Sequence, residues 1–138
     1  MAMEEYILIG VEELDRQHQE FFRHIDALRD ALREGSGNRE VVLRTIEYLE
    51  EFITVHFRTE ERYMRLHYYT GILKHESEHA VFARDVAALK RRVLSEEAQQ
   101  GMGMPLLAIE IEHRLEGWLR DHIGTTDKKL GEYLSGRV

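Results

Sequence analysis

Residues 72–94, which read ILKHESEHAVFARDVAALKRRVL, are the stretch from which the fold is most directly inferred. Apolar residues and histidines recur at intervals of three and four, which is the period of a helix with one buried face. The predicted inward positions are His75, His79, Phe82, Val86, Leu89 and Val93. A long helix with such a face needs other helices to cover it.

Three further segments show this period, at about residues 12–34, 39–66 and 105–122, and a short helix is predicted at about 126–134. Their predicted inner faces are Leu14, His18, Phe21, Phe22, Ile25, Leu28 and Leu32; Thr45, Leu49, Phe52, His56, Glu60 and Tyr63; and Leu107, Ile111, Leu115, Trp118 and His122. Asn38 is a candidate N-cap for the second helix, and Pro105 suits the first position of the fourth.

Glycine-containing breaks separate the four long helices, and the connections between them are short. This arrangement predicts an all-α fold, an up-down-up-down four-helix bundle, with residues 1–11 as an extended arm packed along it. A chain of 138 residues fits one domain, so residues 1–138 are predicted to form a single domain.

The composition excludes several classes of protein. There are no cysteines, which rules out disulfides, thiolate metal sites and a cysteine nucleophile. The net charge of -7 argues against a nucleic-acid partner. No apolar run is long enough to span a membrane, and the N-terminus lacks the pattern of a secretory signal. A cytoplasmic location is therefore the expectation.

Five histidines and two carboxylates fall on or next to the predicted inner faces. His56 and Glu60 are four residues apart, as are His75 and His79, so each pair shares one face of its helix. His18 lies on the first helix, and His122 ends the inner face of the fourth.

Asp127 follows His122 by five residues, which on an unbroken helix turns it roughly 140° away. Gly124 is expected to interrupt the helix and to redirect Asp127 into the bundle.

A buried cluster of this composition predicts a metal site. A single buried histidine is more often a hydrogen-bonded core residue, but each unpaired buried polar group costs about 1–3 kcal/mol. A metal cluster satisfies many such groups at once. Imidazole combined with carboxylate suits iron, and zinc is an open alternative.

A ferritin-like di-iron site is a second possibility, because Glu-x-x-His occurs at Glu76–His79 and at Glu110–His113. His113, however, lies nine residues before His122 and therefore roughly 180° around the helix from it. His24 is expected at the surface, and His67 is expected at a helix end.

The motifs Asp15-x-Gln17-His18, His56-Phe57-x-x-Glu60-Glu61, His75-x-x-x-His79 and Trp118-Leu119-x-x-His122-Ile123-x-x-x-Asp127 together resemble those of the bacterial hemerythrins. The resemblance extends from about Gly10 to Leu134, and seven positions agree in type, order and spacing. The family often has a tryptophan in the arm, where this chain offers Tyr6, and Tyr-Pro before the third helix, where it has Tyr68-Tyr69.

The resemblance implies two iron ions, cycling between Fe2+ and Fe3+ and joined by an oxo or hydroxo bridge. It implies that His75, His79 and His122 bind one iron, that His18 and His56 bind the other, and that Glu60 and Asp127 bridge them. Dioxygen would bind reversibly at the iron with fewer ligands, in a pocket walled by Trp118 and Leu119.

The implied function is oxygen carriage, storage or sensing, without catalysis, by a monomer or weak homo-oligomer whose protein partner is unknown. A di-iron enzyme on the same site (an oxidase, peroxidase or nitric oxide scavenger) remains the alternative, as does a structural bundle holding zinc.

Overall fold

The computed structural model describes residues 8–95 and 103–138. Four long helices account for most of this part of the chain: α1 (Glu12–Arg33), α2 (Arg39–Leu66), α3 (Ile72–Leu94) and α4 (Gly103–Asp121). A π-helical turn, His122–Asp127, leads directly from α4 into a short helix, α5 (Lys128–Leu134). The predicted helix bounds agree with these to within two residues. The first seven residues of the predicted arm lie outside the described residues.

The four long helices form the predicted four-helix bundle. Each packs against the next along the chain, and α1 packs against α4 to close the ring. Residues 34–38 join α1 to α2 and residues 67–71 join α2 to α3, so neighbouring helices run in opposite directions. The described part of the chain contains no strand. None of its helices is both long enough and apolar enough to cross a membrane.

The helix ends follow from local side-chain chemistry. Asn38 caps α2, since its side-chain oxygen accepts a hydrogen bond of 3.0 Å from the Val41 backbone N–H. Gly35 follows the end of α1 with φ +76°, the left-handed conformation that glycine adopts without steric cost. Tyr68 occupies the equivalent position after α2 with φ 56°, at the Tyr68-Tyr69 departure from the family pattern. Pro105 is the third residue of α4 instead of the first, still within the turn where its missing N–H costs nothing.

The inner face of α2 is rotated from the prediction. Leu49, His56 and Glu60 are buried as expected, but Thr45, Phe52 and Tyr63 are only half-buried. The residues that also face the core are Val42, Ile46, Ile53, Phe57, Thr59 and Met64. Helix α2 carries two adjacent apolar rows, and its period alone does not say which one is covered. The aliphatic row packs inward, whereas Tyr63 at the edge donates a 2.8 Å hydrogen bond to Glu13.

The described part of the arm is anchored to both α1 and α5. Ile9 and Val11 are buried, and the carboxylate of Asp15 accepts hydrogen bonds from the backbone N–H groups of Ile9 (2.8 Å) and Gly10 (3.1 Å). Ile9 packs so closely on α5 that a Cβ at Gly131 would lie 2.1 Å from the Ile9 carbonyl oxygen. Glycine is therefore required at Gly131 for the arm to pack.

The predicted interruption at Gly124 is wrong. The backbone stays helical from α4 through His122–Asp127 into α5, with the middle segment wound as a π-helix. A π-helix closes its hydrogen bonds on the fifth residue, so residues five apart return to nearly the same face. Gly124 is exposed, and a Cβ there would meet nothing within 4 Å. A wider turn, and not a break, directs Asp127 inward.

Candidate metal centre

The seven side chains singled out from the sequence meet in one place inside the bundle. His18 comes from α1, His56 and Glu60 from α2, and His75 and His79 from α3, while His122 and Asp127 lie at the two ends of the π-helical turn. None of them is more than 4% exposed. They form a polar cluster within a largely apolar core.

The cluster divides into two groups that share both carboxylates. Side-chain ligand atoms of Glu60, His75, His79, His122 and Asp127 lie within 4.8 Å of one another and could hold one metal ion. The ligand atoms of His18, His56, Glu60 and Asp127 also lie within 4.8 Å of one another and could hold a second metal ion. We call these the three-histidine position and the two-histidine position.

Each carboxylate turns one oxygen towards each position. Glu60 Oε1 lies 3.3 Å from His75 Nε2 and 2.9 Å from His79 Nε2, whereas Glu60 Oε2 lies 3.6 Å from His18 Nε2 and 3.5 Å from His56 Nε2. Asp127 Oδ1 lies 2.8 Å from His75 Nε2 and 3.2 Å from His122 Nε2. Asp127 Oδ2 lies 3.1 Å from His18 Nε2. Two carboxylates arranged in this way can bridge a pair of cations.

The residues present fit a metal pair. His79 Nε2, His122 Nε2, Glu60 Oε2 and both oxygens of Asp127 are buried without a hydrogen-bond partner. Adjacent ligands around an octahedral cation with bonds of about 2.1 Å lie roughly 3 Å apart, close to the separations between the carboxylate oxygens and the Nε2 atoms of the cluster. Cations at the two positions would satisfy all of these atoms, each of which otherwise costs about 1–3 kcal/mol.

Protons compete with metal ions for this site. Burial disfavours a charged imidazole, yet the nearby carboxylates of Asp127 and Glu60 together raise the pKa of His18 to about 9 and that of His75 to about 10. Burial lowers the pKa of His56 to about 4. Burial also opposes ionisation of Glu60 and Asp127, but the surrounding imidazoles hold the pKa of both below the usual range. The carboxylates are therefore ionised, and metal binding must displace protons from histidines.

Three of the five imidazoles are oriented by hydrogen bonds from their outer nitrogens. His56 Nδ1–H donates to the amide oxygen of Gln17 at 2.6 Å, and His79 Nδ1–H donates to Glu61 at 3.1 Å. His122 Nδ1–H donates to Glu78 at 2.8 Å. Because the outer nitrogen carries the proton, the Nε2 lone pair of each ring can bind a cation in the centre, where His56 Nε2 meets His18 Nε2 at 3.1 Å.

Two of the side chains that accept these hydrogen bonds, Gln17 and Glu78, are themselves held in place. Gln17 donates its amide N–H to Thr59 Oγ1 at 3.3 Å, and Thr126 donates its hydroxyl to Glu78 at 2.8 Å. The sequence motifs included Gln17 and Glu61 without assigning them a role, and Glu78 was missed. A carboxylate directly beside a metal-binding candidate, as in Glu60-Glu61 and Glu78-His79, is the sequence signal that could have identified the two glutamates.

Aromatic rings cover the outside of the histidines. Phe57 stacks on His79 with ring centroids 3.7 Å apart, and Trp118 stacks on His122 at 4.5 Å. Phe21 meets the His56 ring edge-on at 5.3 Å. Leu119, the other predicted pocket residue, is 1% exposed, whereas Trp118 is half-buried and less enclosed than predicted. The histidines that these rings contact are at most 4% exposed.

A cavity of about 180 Å³ lies between α3 and α4, and Trp118 forms part of its lining. Its lining residues are Phe82, Asp85, Val86, Leu89, Arg114, Leu115 and Trp118. None of the seven clustered residues lines it, although Trp118 also stacks on His122.

The remaining histidines lie away from the cluster. The side chain of His113 is 76% exposed, which contradicts a ferritin-like role for it. His24 stacks on Tyr48 at the bundle edge, and His67 is the C-terminal cap residue of α2. Glu112, the residue before His113, is buried, with only 3% of its surface exposed.

Comparison with known proteins agrees with this geometry. The family model described as the hemerythrin HHE cation binding domain matches residues 9–134. A bacteriohemerythrin from Methylococcus capsulatus is 26% identical over 121 residues, covering 88% of this chain and 86% of that protein. A bacteriohemerythrin from Stenotrophomonas maltophilia is 25% identical over 130 residues, covering 94% of this chain and 78% of that protein.

Solved structures share the fold. The crystal structure of a wild-type hemerythrin superposes with a TM-score of 0.78 at 23% identity, covering 98% of this chain and 97% of that chain. At this level of identity the likeness bears on the fold alone. The family match spans all four helices, the π-helical turn and every residue of the buried cluster, and the chain therefore belongs to the hemerythrin family of HHE cation-binding domains.

Proposed function

We propose that this chain holds two iron ions in the buried cluster and binds dioxygen reversibly there. The observation that carries the proposal is the pair of carboxylates, Glu60 and Asp127, each with one oxygen facing each metal position. Such a pair suits two cations held side by side. The likeness to proteins named bacteriohemerythrin supports iron as the metal.

The assignment of ligands follows the two groups of donors. His75, His79 and His122 would bind one ion, and His18 and His56 would bind the other. Glu60 and Asp127 would serve both. The two-histidine position thus has one protein ligand fewer, and a metal site that reacts with a small molecule needs such an open place. When bound, a reduced iron pair supplies the two electrons that dioxygen takes up and returns.

The surrounding side chains would favour reversible binding over oxidation. Phe21, Phe57, Leu119 and Ile123 are each at most 8% exposed and offer no proton donor from their side chains. An apolar wall limits the entry of water, and water would otherwise supply protons and carry away a reduced oxygen product. Gln17, Glu61 and Glu78 hold the imidazoles in place without reaching the centre themselves.

The test is an absorption spectrum of the iron-loaded, reduced protein, recorded before air, after air and again under argon, together with metal analysis. We expect two irons per chain and an oxygenated spectrum that disappears under argon and returns with air. One metal per chain, or zinc after expression with ample iron, would contradict the proposal. Irreversible oxidation with consumption of a substrate would instead favour a di-iron enzyme.

A further inference from the structure

The two metal positions differ in the charge that lies behind their histidines. In the three-histidine position, His79 and His122 both donate from Nδ1 to carboxylates, Glu61 at 3.1 Å and Glu78 at 2.8 Å. In the two-histidine position, His56 donates to the neutral amide of Gln17 at 2.6 Å. One histidine of each position, His18 and His75, has no hydrogen-bond partner at Nδ1, so the difference lies in the partners of the other rings. The position with more imidazoles therefore also has the anionic partners.

This asymmetry has a direct effect on metal affinity. A carboxylate that accepts the Nδ1 proton makes the imidazole more electron-rich, and so strengthens the bond from Nε2 to a cation. A neutral amide enriches the imidazole in electrons less and therefore strengthens the bond from Nε2 to the cation less. Charge also acts more strongly here than in water, because the ligating rings lie in a buried, low-dielectric environment. Arg65, 61% exposed and 3.9 Å from Glu61, offsets only part of this charge, and its nearer partner is Glu76 at 3.1 Å.

Ligand number acts in the same direction. The three-histidine position offers five protein donors and the two-histidine position offers four, counting both shared carboxylates for each. The charge behind the histidines and the number of ligands therefore both give the three-histidine position the higher metal affinity.

We propose that the two positions fill and empty in a set order, in which the three-histidine position binds its metal first and the two-histidine position is the exchangeable one. Glu78 and Glu61 act as positioning residues that establish this order, and the neutral Gln17 keeps the second position weak. This inference rests on the proposed two-metal function. It adds that a one-metal form, with His75, His79 and His122 occupied, is a stable species.

The affinity test is a titration of the metal-free protein with zinc, which does not change oxidation state, in competition with a coloured chelator. We expect two steps that differ by at least about tenfold in Kd. Glu78→Gln should weaken the first step by roughly 10–100-fold, and Gln17→Glu should tighten the second step by up to about tenfold.

Glu76→Gln is the matched control for Glu78→Gln. It removes the same charge from the same helix, but the Glu76 carboxylate contacts Arg65 at the surface and no histidine of the cluster. It should leave both steps unchanged. Circular dichroism of each metal-free variant shows whether it is folded before titration.

A second readout identifies which position fills first. Trp118 is the one tryptophan of the chain, and its ring stacks on His122 of the three-histidine position. Cobalt(II), an open-shell cation, should therefore quench its fluorescence mainly with the first equivalent. Quenching that appears only with the second equivalent would reverse the proposed order.

The outcomes separate this inference from the function on which it rests. If the protein binds fewer than two zinc ions, the two-metal function fails. If it binds two with equal affinity, or if Glu76→Gln and Glu78→Gln have the same effect, the two-metal function survives and the proposed order is wrong.

Discussion

His122 and Asp127 are five positions apart in the sequence, yet His122 Nε2 lies 3.2 Å from Asp127 Oδ1. In an α-helix the two side chains would diverge by roughly 140°. The π-helical turn His122–Asp127 brings them to one face, because it takes about one more residue per turn. The shared carboxylate of the centre thus depends on a local change of helix type, and π-helical turns are frequent at functional sites.

Gly124 is not needed for this turn, so we expect Gly124→Ala to be tolerated. A Cβ there meets nothing within 4 Å, and the φ of Gly124 is not in the left-handed region. Alanine should raise the free energy of unfolding by up to about 1 kcal/mol through helix propensity. Urea denaturation and metal analysis provide the test, and loss of metal in this variant would show that the turn does require glycine.

Gly131→Ala is the contrasting glycine substitution. The Cβ of an alanine at position 131 would lie 2.1 Å from the Ile9 carbonyl oxygen, so the arm must move away from α5. We expect a decrease of about 1–3 kcal/mol in the free energy of unfolding, with the metal content unchanged. Equal stability of Gly131→Ala and the parent would mean that the arm does not pack on α5 in solution.

The role of His122 can be separated from that of His113. His122→Ala removes a ring that faces both Asp127 and the centre, and we expect the iron-loaded variant to lack the visible spectrum of the proposed oxo-bridged pair. His113→Ala changes a side chain that is 76% exposed and should leave the spectrum and the iron content nearly unchanged. The opposite result would support the ferritin-like assignment in place of this one.

Leu119 is predicted to form part of the dioxygen pocket. It lies three residues before His122 on α4 and is 1% exposed. We expect Leu119→Glu to keep both irons but to lose stable oxygenation, because a carboxylate would either bind the open iron or bring water to it. The measurement is the lifetime of the oxygenated spectrum, alongside metal content and circular dichroism.

Leu119→Met is the control for this experiment, because it nearly conserves volume and stays apolar. It should retain oxygenation. If Leu119→Glu is folded, holds two irons and remains oxygenated as long as the parent, the pocket lies elsewhere.

Glu112 should make stability depend on pH. Burial, followed by the hydrogen bond and charge of Glu116, raises the pKa of Glu112 from 4.5 to about 7, although Arg29 opposes this shift and Asp26 adds to it. A carboxyl group with a raised pKa stays protonated in the folded state where the unfolded chain has released its proton. Its contribution to stability is therefore present at acidic pH and is lost as the pH rises from about 4.5 through about 7.

Glu112→Gln removes this dependence while keeping size and shape. We expect the variant to match the parent at pH 5 and to exceed it at pH 8 by about 1 kcal/mol or more, because Glu112 Oε1 is buried without a hydrogen-bond partner. Urea unfolding of both proteins in the same metal state gives the comparison. A difference that does not change with pH would show that Glu112 ionises normally.

The amino-acid sequence by itself determined the helices and the membership of the cluster. Helix ends depend on contacts within a few residues, such as the hydrogen bond from Val41 to the side chain of Asn38, and these can be inferred from residue type and spacing. His56 with Glu60, and His75 with His79, share a helix face because of the four-residue period alone. The inner face of α3 was likewise predicted correctly at all six positions.

Only the tertiary structure decided which row of α2 faces the core, how Asp127 turns inward, and which side chains orient the histidines. His122 and Glu78 are 44 residues apart and lie on different elements, and His56 and Gln17 are 39 apart. Such contacts depend on the rotation and axial position of one helix against another, which packing of the whole core sets and no local period records. The burial of Glu112 at the α1–α4 seam has the same origin, because its exposure depends on the helix that covers it.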